Sequence, residues 1–366
     1  MKIEKLSGLL PIDRDIHLPN PFPCVQAGDC FLAADVRVDE NNALAALHTV
    51  FIREHNRIVT ALKGINPNWG EEKLYQEGRK IVVGIFQNIV WQEYVPTLTT
   101  VQAWSGYKDD VDASSSVAFA TAAYRFGHSE VPNFWAMLNN NYDKIREPFL
   151  LRDLFFNNAP LRQYGIEPIT FGLLGNETQN TDATFAETLH KFLFVFPGAR
   201  GHMDLLAINI QRGRDHGLPG YWHWRKWCKL GESKNFESLA QDFPDKAMRD
   251  MLRDLYEDKM ELVDLFAAGI AETHEEGKAV GRTFGCILAD QFERMRDGDR
   301  FYYENPDVFT PAQLVEIKKM TIAKVFCHNL RDIVSIQRNA FKVATTNTPR
   351  VTCDSIDDLD LNLWKE

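Results

Sequence analysis

The chain has 366 residues, enough for a sizeable core, and its 45% hydrophobic and 25% charged content is ordinary for a globular protein. Its 41 basic against 51 acidic side chains leave a formal charge of −10, which argues against a nucleic-acid or anionic-membrane partner. No apolar run approaches the roughly 20 residues of a membrane helix; the longest, 81–91, contains Gln87 and Asn88.

The opening Met1-Lys2-Ile3-Glu4-Lys5-Leu6 lacks the long apolar core of a secretion signal. Residues 42–62 read as a helix, with Leu44, Leu47, Val50, Phe51, Ile58 and Leu62 on its apolar side. Asn66-Pro67-Asn68-Trp69-Gly70 reads as a turn, and a second long helix runs from Glu71 to Tyr94, stopped before Pro96. A helix of small residues covers 113–128. The stretch 149–180 reads as loop-rich on the strength of Pro160, Gly165, Pro168, Gly172 and Gly175. Further helices are predicted at 183–196, 202–214, 219–228, 278–295 and 310–328. Period-2 alternation is weak throughout, so strands should be few and short. No repeat, low-complexity tract or long linker divides the chain, and 1–366 is expected to be a single, mainly α domain.

Three segments carry the chemistry. Ala120-Thr121-Ala122-Ala123-Tyr124-Arg125-Phe126-Gly127-His128 is a run of small residues ending in an imidazole. Such a surface lets something flat and bulky approach the backbone while one nitrogen reaches a metal. Taken alone, a histidine at a helix end is more often a structural, hydrogen-bonded residue. The second segment is Cys30 to Asn41 with the following Leu47 to Arg57. The third is Asp204 to Tyr221, containing Ile208-Asn209-Ile210-Gln211-Arg212-Gly213-Arg214-Asp215-His216.

In this order and spacing, the three segments resemble the animal haem peroxidase superfamily, which includes myeloperoxidase, thyroid peroxidase and peroxidasin. The likeness continues through Met295 to Phe301 and Tyr303-Glu304-Asn305-Pro306, and spans roughly residues 20–355. It implies an animal haem-peroxidase-like helical fold and haem b as cofactor. It implies hydrogen peroxide and a small reducing substrate (a halide, phenol or tyrosine) as partners.

The resemblance places the proximal iron ligand at His128. A ligating imidazole has its second nitrogen held by an acceptor, which fixes its tautomer, and the matching position is Asn209. The alternative for Asn209 is an amide bonded to its own helix backbone. Arg37 matches the catalytic arginine that stabilises charge as the O–O bond of peroxide breaks; the alternative is a surface ion pair with Asp35 or Asp39. Two readings of Glu40 stand, an ester to the haem and a carboxylate at a helix N-terminus. Asn41 occupies the place of a methionine that bonds haem in myeloperoxidase, so that linkage is unavailable. Arg212 matches an arginine near a haem propionate. Arg214, Asp215 and His216 read as a structural cluster, and His48 and His55, on one helical face, are too few for a metal site.

The family's distal histidine lies in a Gln-x-x-Asp-His-Asp pattern upstream of the arginine motif, together with a calcium ligand, and this chain contains no such pattern. His17, beside Pro19, is not accepted as a substitute. The chain therefore reads as the C-terminal part of a peroxidase domain, with the calcium site and distal segment missing or supplied in trans. Losing the acid–base group costs about 10²–10⁴ in rate. An inactive pseudoperoxidase or a matrix and adhesion partner is thus the competing function, and a fatty-acid dioxygenase a third. The resemblance pairs Cys24 with Cys30, Cys228 with Cys286, and Cys327 with Cys353; six free thiols are the alternative. Disulfides and the sequon Asn176-Glu177-Thr178 fit an extracellular protein.

Overall fold

The computed structural model describes residues 8–15, 22–195, 201–231 and 234–366. His17 lies outside the described residues. The fold is mainly helical. Its helices begin with α1 (Pro23–Ala27), α2 (Asn42–Ile65), α3 (Glu71–Ile89), α4 (Val95–Leu98) and α5 (Val117–Thr121). They continue with α6 (Ala159–Tyr164), α7 (Glu167–Gly175), α8 (Glu187–Lys191), α9 (Leu205–Asp215) and α10 (Tyr221–Trp227). The last are α11 (Lys246–Leu255), α12 (Leu265–Ala271), α13 (Arg282–Asp297), α14 (Pro311–Lys319) and α15 (Ile322–Asn329). Two small antiparallel pairs complete it, β1 (Phe134–Trp135) with β2 (Phe149–Leu150) and β3 (Ser335–Gln337) with β4 (Arg350–Thr352). Buried apolar side chains from Leu9 to Trp364 form one contiguous cluster. Among the described residues no helix is long and apolar enough to cross a membrane.

Helix α2 starts where Asn41 Oδ1 accepts from the backbone N–H groups of Ala43 and Leu44, satisfying two of its unpaired first-turn donors. Its buried face differs from the predicted one. Leu47 is exposed, whereas Thr49, Glu54 and His55 join Ala45, Ala46, Val50, Ile58 and Leu62 inside. Glu54 tolerates complete burial because Arg57 pairs with it and Asn329 Nδ2 donates to it at 2.7 Å. Gly78 on α3 permits the close crossing, since a Cβ there would stand 2.5 Å from Val59 Cγ2.

The other departures have identifiable physical reasons. The helix from Glu71 does not stop before Pro96. It loosens into a π-helical turn at Val90–Tyr94 and runs on into α4, and the wider turn accommodates Pro96 and its missing N–H. Pro160 and Pro168 begin α6 and α7, so 149–180 holds two helices rather than loops. Gly172 is there because α7 lies against the chain at Ala136: a Cβ would sit 2.0 Å from Ala136 O. The helix predicted over 183–196 is only α8, 310–328 breaks at Met320 and Thr321, and α11 and α12 lie outside the predicted helices.

All six cysteines pair as Cys24–Cys30, Cys228–Cys286 and Cys327–Cys353. The last joins α15 to the segment after β4, restricting the unfolded chain. In the same region His328 Nε2 stands 2.9 Å from Asp358 Oδ2 and its Nδ1 3.5 Å from Glu54 Oε1. Burial pulls the His328 value down, but Asp358 and Glu54 outweigh it and leave it above the ordinary value. This contribution to stability is fully present below the unfolded histidine value of about 6.5 and is lost as pH rises through the folded one. His328→Gln should therefore lower Tm more at about pH 5.5 than at about pH 8.5. An equal loss at both, measured by thermal unfolding, would contradict the charged contact.

Candidate functional site

Helix α5 opens with Ser116 Oγ accepting from Phe119 N at 3.3 Å. It is broken at buried Ala122 (φ −136°, ψ −75°) and continues as a tight 3₁₀ turn, Ala123–His128. The single helix predicted over 113–128 is thus two pieces, and the break matters. A 3₁₀ helix repeats every three residues, so Arg125 and His128 fall on one side of it. Both reach the same amide on α9: Arg125 Nη1 donates to Asn209 Oδ1 at 2.9 Å, and Asn209 Nδ2 lies 3.0 Å from His128 Nδ1. Asp204 caps α9 by accepting from Leu206 N and Ala207 N, which starts the helix at the register that buries Asn209 completely.

Burial, followed by the adjacent Arg125 guanidinium, pushes His128 down to about 4. The imidazole is neutral at pH 7 and keeps a lone pair. With Arg125 holding Asn209 Oδ1, the amide nitrogen donates to His128 Nδ1 and the ring proton sits on Nε2. Arg212, exposed on α9, is near enough to Arg125 to lower its value, behind the effect of burial. Among the described residues neither guanidinium has a carboxylate partner, so two positive charges converge beside a neutral imidazole. The next face is open, because a Cβ added at Gly127 would meet only Glu130 Oε2, at 3.8 Å.

Arg37 and Glu40 occupy a separate turn, closed by Glu40 N donating to Arg37 O at 2.9 Å. Arg37 grips Asp35 through Nε at 2.9 Å and Nη2 at 2.6 Å, and its side chain is 73% exposed. That contact holds Asp35 well below the usual carboxylate range. Burial raises Glu40, eased by Arg37. Glu40 lies just outside α2, whose cap is Asn41. Asp39 does not pair with Arg37; it turns inward to accept from Phe31 N and Asn158 Nδ2. Among the described residues no hydrogen bond or ion pair joins this turn to the His128 cluster.

Other histidines and charges have structural surroundings. His55 packs edge-on against Tyr75 and beside Gly78. Arg214 pairs with Asp264 rather than Asp215, which accepts from Gln211, and His216 ends α9. Cys24, Cys30 and Asp39 lie close together, but the two sulfurs are spent in a disulfide. Sequence reasoning passed over Arg125 as a site residue; its spacing of three from His128 was the available signal.

The family model for animal haem peroxidase matches residues 1–341. The chain belongs to the animal haem peroxidase family. It is 40% identical over 373 residues to a peroxidasin homolog of Caenorhabditis elegans, covering 98% of this chain and 29% of that protein. It is 37% identical over 370 residues to thyroid peroxidase of Rattus norvegicus, covering 98% and 40%. The chain thus spans well under half the length of these relatives. Peroxidase A from Dictyostelium discoideum superposes with a TM-score of 0.81 at 31% identity, over 92% of this chain and 67% of that one.

The electrostatics of the cluster are testable by ring-proton NMR. Arg125→Leu should move the His128 titration upward from about 4. A shift of the opposite sign would mean that the charge acts differently from the geometry above.

Proposed function

We propose that this chain binds haem b with His128 as the residue that would hold its iron, and reduces hydrogen peroxide at the expense of a halide, phenol or tyrosine. The neutral, buried imidazole joined through Asn209 to Arg125 carries the reading. The donor set fits the group: a lone-pair nitrogen, an open face at Gly127 and two guanidiniums that have no carboxylate partner among the described residues and suit its two carboxylates. Bound there, the iron would supply the electron transfer that splits peroxide.

The chain's own residues then have definable tasks. For Nε2 to face a metal, the His128 proton must move to Nδ1 and be accepted by Asn209 Oδ1. Arg125, which holds that oxygen, must then exchange it for another acceptor, and a haem carboxylate is one. Arg212 takes the second. Arg37 uses Nε and Nη2 on Asp35, which leaves Nη1 to stabilise negative charge on a peroxide oxygen. Burial works against the charge on Glu40, and an ester to the haem would remove that charge. The three disulfides and the exposed Asn176 of the sequon support an extracellular setting. One observation favours a non-catalytic adhesion role, the exposure of Arg37 at the surface.

Haem titration followed by its Soret band tests the ligand: His128→Ala should abolish the band, and His55→Ala and His216→Ala should retain it. An unchanged spectrum in His128→Ala removes the assignment. In the haem-loaded chain Arg37→Ala should slow peroxide-dependent donor oxidation by about 10²–10³-fold. No peroxide-dependent turnover in the unaltered, haem-loaded chain would favour the adhesion role.

A further inference from the structure

A cavity of about 610 Å³ opens between the segment 104–107 and residues 300–307, well separated in sequence from His128. Trp104, Tyr107, Arg300, Asn305 and Asp307 line it. Two buried polar atoms there have no hydrogen-bond partner among the described residues, the donor Trp104 Nε1 and the acceptor Asn305 Oδ1. The Asn305 amide is oriented by its nitrogen, which donates to Asp299 O at 3.0 Å. Leaving a buried donor and acceptor unmatched is unfavourable, and a ligand carrying one hydroxyl could satisfy both.

The same Trp104 begins a continuous row of packed rings. Its centroid is 5.6 Å from Tyr302, Tyr302 is 6.1 Å from Trp91, Trp91 is 6.0 Å from Phe292, and Phe292 is 5.9 Å from Tyr124. The ring contacts are edge-on or tilted, as interlocked aromatic side chains prefer. Tyr124 belongs to the 3₁₀ turn that ends in His128, four residues or about 8 Å along its axis. Tyrosine and tryptophan are the side chains most readily oxidised by one electron.

We propose that this cavity is a second donor site, at which a phenol is oxidised at a distance through Trp104, Tyr302, Trp91 and Tyr124. The proposal rests on the haem reading above and names the donor class it serves. The phenol hydroxyl donates to Asn305 Oδ1 and accepts from Trp104 Nε1, its ring lies against Trp104 and Tyr107, and Arg300 favours donors with an anionic arm. Phe292 is too hard to oxidise to hold the charge and acts as a packed bridge. Tyr302 is buried, and its hydroxyl is 3.4 Å from Glu304 Oε1; that carboxylate can take the phenolic proton on oxidation and return it on reduction. Arg296, over the Trp91 ring at 4.9 Å, opposes a positive charge there, but Asp297 holds Arg296 at 2.7 Å and offsets it. Trp91 is therefore a point of transit. Two phenols are consumed per hydrogen peroxide. Each loses one electron through the relay and one proton to Asp307 and solvent; the peroxide O–O bond takes up both electrons and both protons, giving two waters and two phenoxyl radicals.

The relay can be tested without haem. Every native cysteine is disulfide-bonded, so Ser105→Cys provides one free thiol beside Trp104 for a ruthenium photo-oxidant. Flash oxidation should produce a tyrosyl radical by electron paramagnetic resonance, shared between Tyr302 and Tyr124, with the Tyr124 component lost in Tyr124→Phe. In Tyr302→Phe, which keeps the ring packing, the tyrosyl signal should be lost and the tryptophanyl radical should persist. Tyr75→Phe, outside the row, should change neither. A Tyr124 radical undiminished in Tyr302→Phe overturns the route.

In the haem-loaded chain, peroxide with a nitroso spin trap should give an adduct on Trp104, located by peptide mass spectrometry and lost in Tyr302→Phe. Suppression of that adduct by N-acetyltyrosinamide identifies a free phenol as donor; suppression only by a tyrosine-bearing polypeptide identifies a protein donor. Suppression by neither, or no adduct when the Soret band shows haem bound, overturns the donor site. Failure to bind haem at all defeats the earlier reading instead, while the photo-oxidation result still decides the relay.

Discussion

The Asn209 side chain is the interaction on which the site depends. It is wholly buried, it accepts from Arg125 and it contacts His128 Nδ1. One short amide therefore sets the charge environment, the orientation and the tautomer of an imidazole that belongs to a different element. A carboxylate in its place would draw proton density from the ring and neutralise Arg125. A neutral amide does neither, so the guanidinium remains positive and keeps the buried histidine uncharged. Such an arrangement needs α9 and the 3₁₀ turn held in fixed register, and the surrounding helices supply that rigidity.

The chain reaches this geometry by breaking regular structure at chosen points. The discontinuity at Ala122 converts an α-helical period into a three-residue one, and this lines up Arg125 and His128 one above the other. The π-turn at Val90–Tyr94 similarly lets the helix pass Pro96 and carries Trp91 and Tyr94 toward Phe292. Irregular helices of this kind often accompany function. Here the two irregular turns meet at Phe292, which packs against both Trp91 and Tyr124.

Charge is distributed with equal economy. The −10 formal charge of the chain coexists with a local excess of cation at Arg125 and Arg212, whereas Arg37, Arg57 and Arg214 are each held by a carboxylate. The Glu54, Asn329 and His328 contacts serve a different end, tying α2 to α15.

The amino-acid sequence by itself determined the helical class, the disulfide pairs implied by its family likeness, and the partnership of His128 with Asn209, but not the place of Arg125 beside them. Those properties follow from local periodicity and from motifs, which survive in one dimension. Tertiary structure decided the rest. It decided that Pro160 and Pro168 start helices, because only packing shows whether a proline falls in a first turn or between elements. It buried Glu54 and exposed Leu47, since the face a helix turns inward depends on which partners can satisfy its charges. It placed Asp35, not Asp39, on Arg37. It also brought His128 and Asn209, 81 positions apart, to 3.0 Å. A contact of that range is created by chain packing, and no local pattern specifies its geometry.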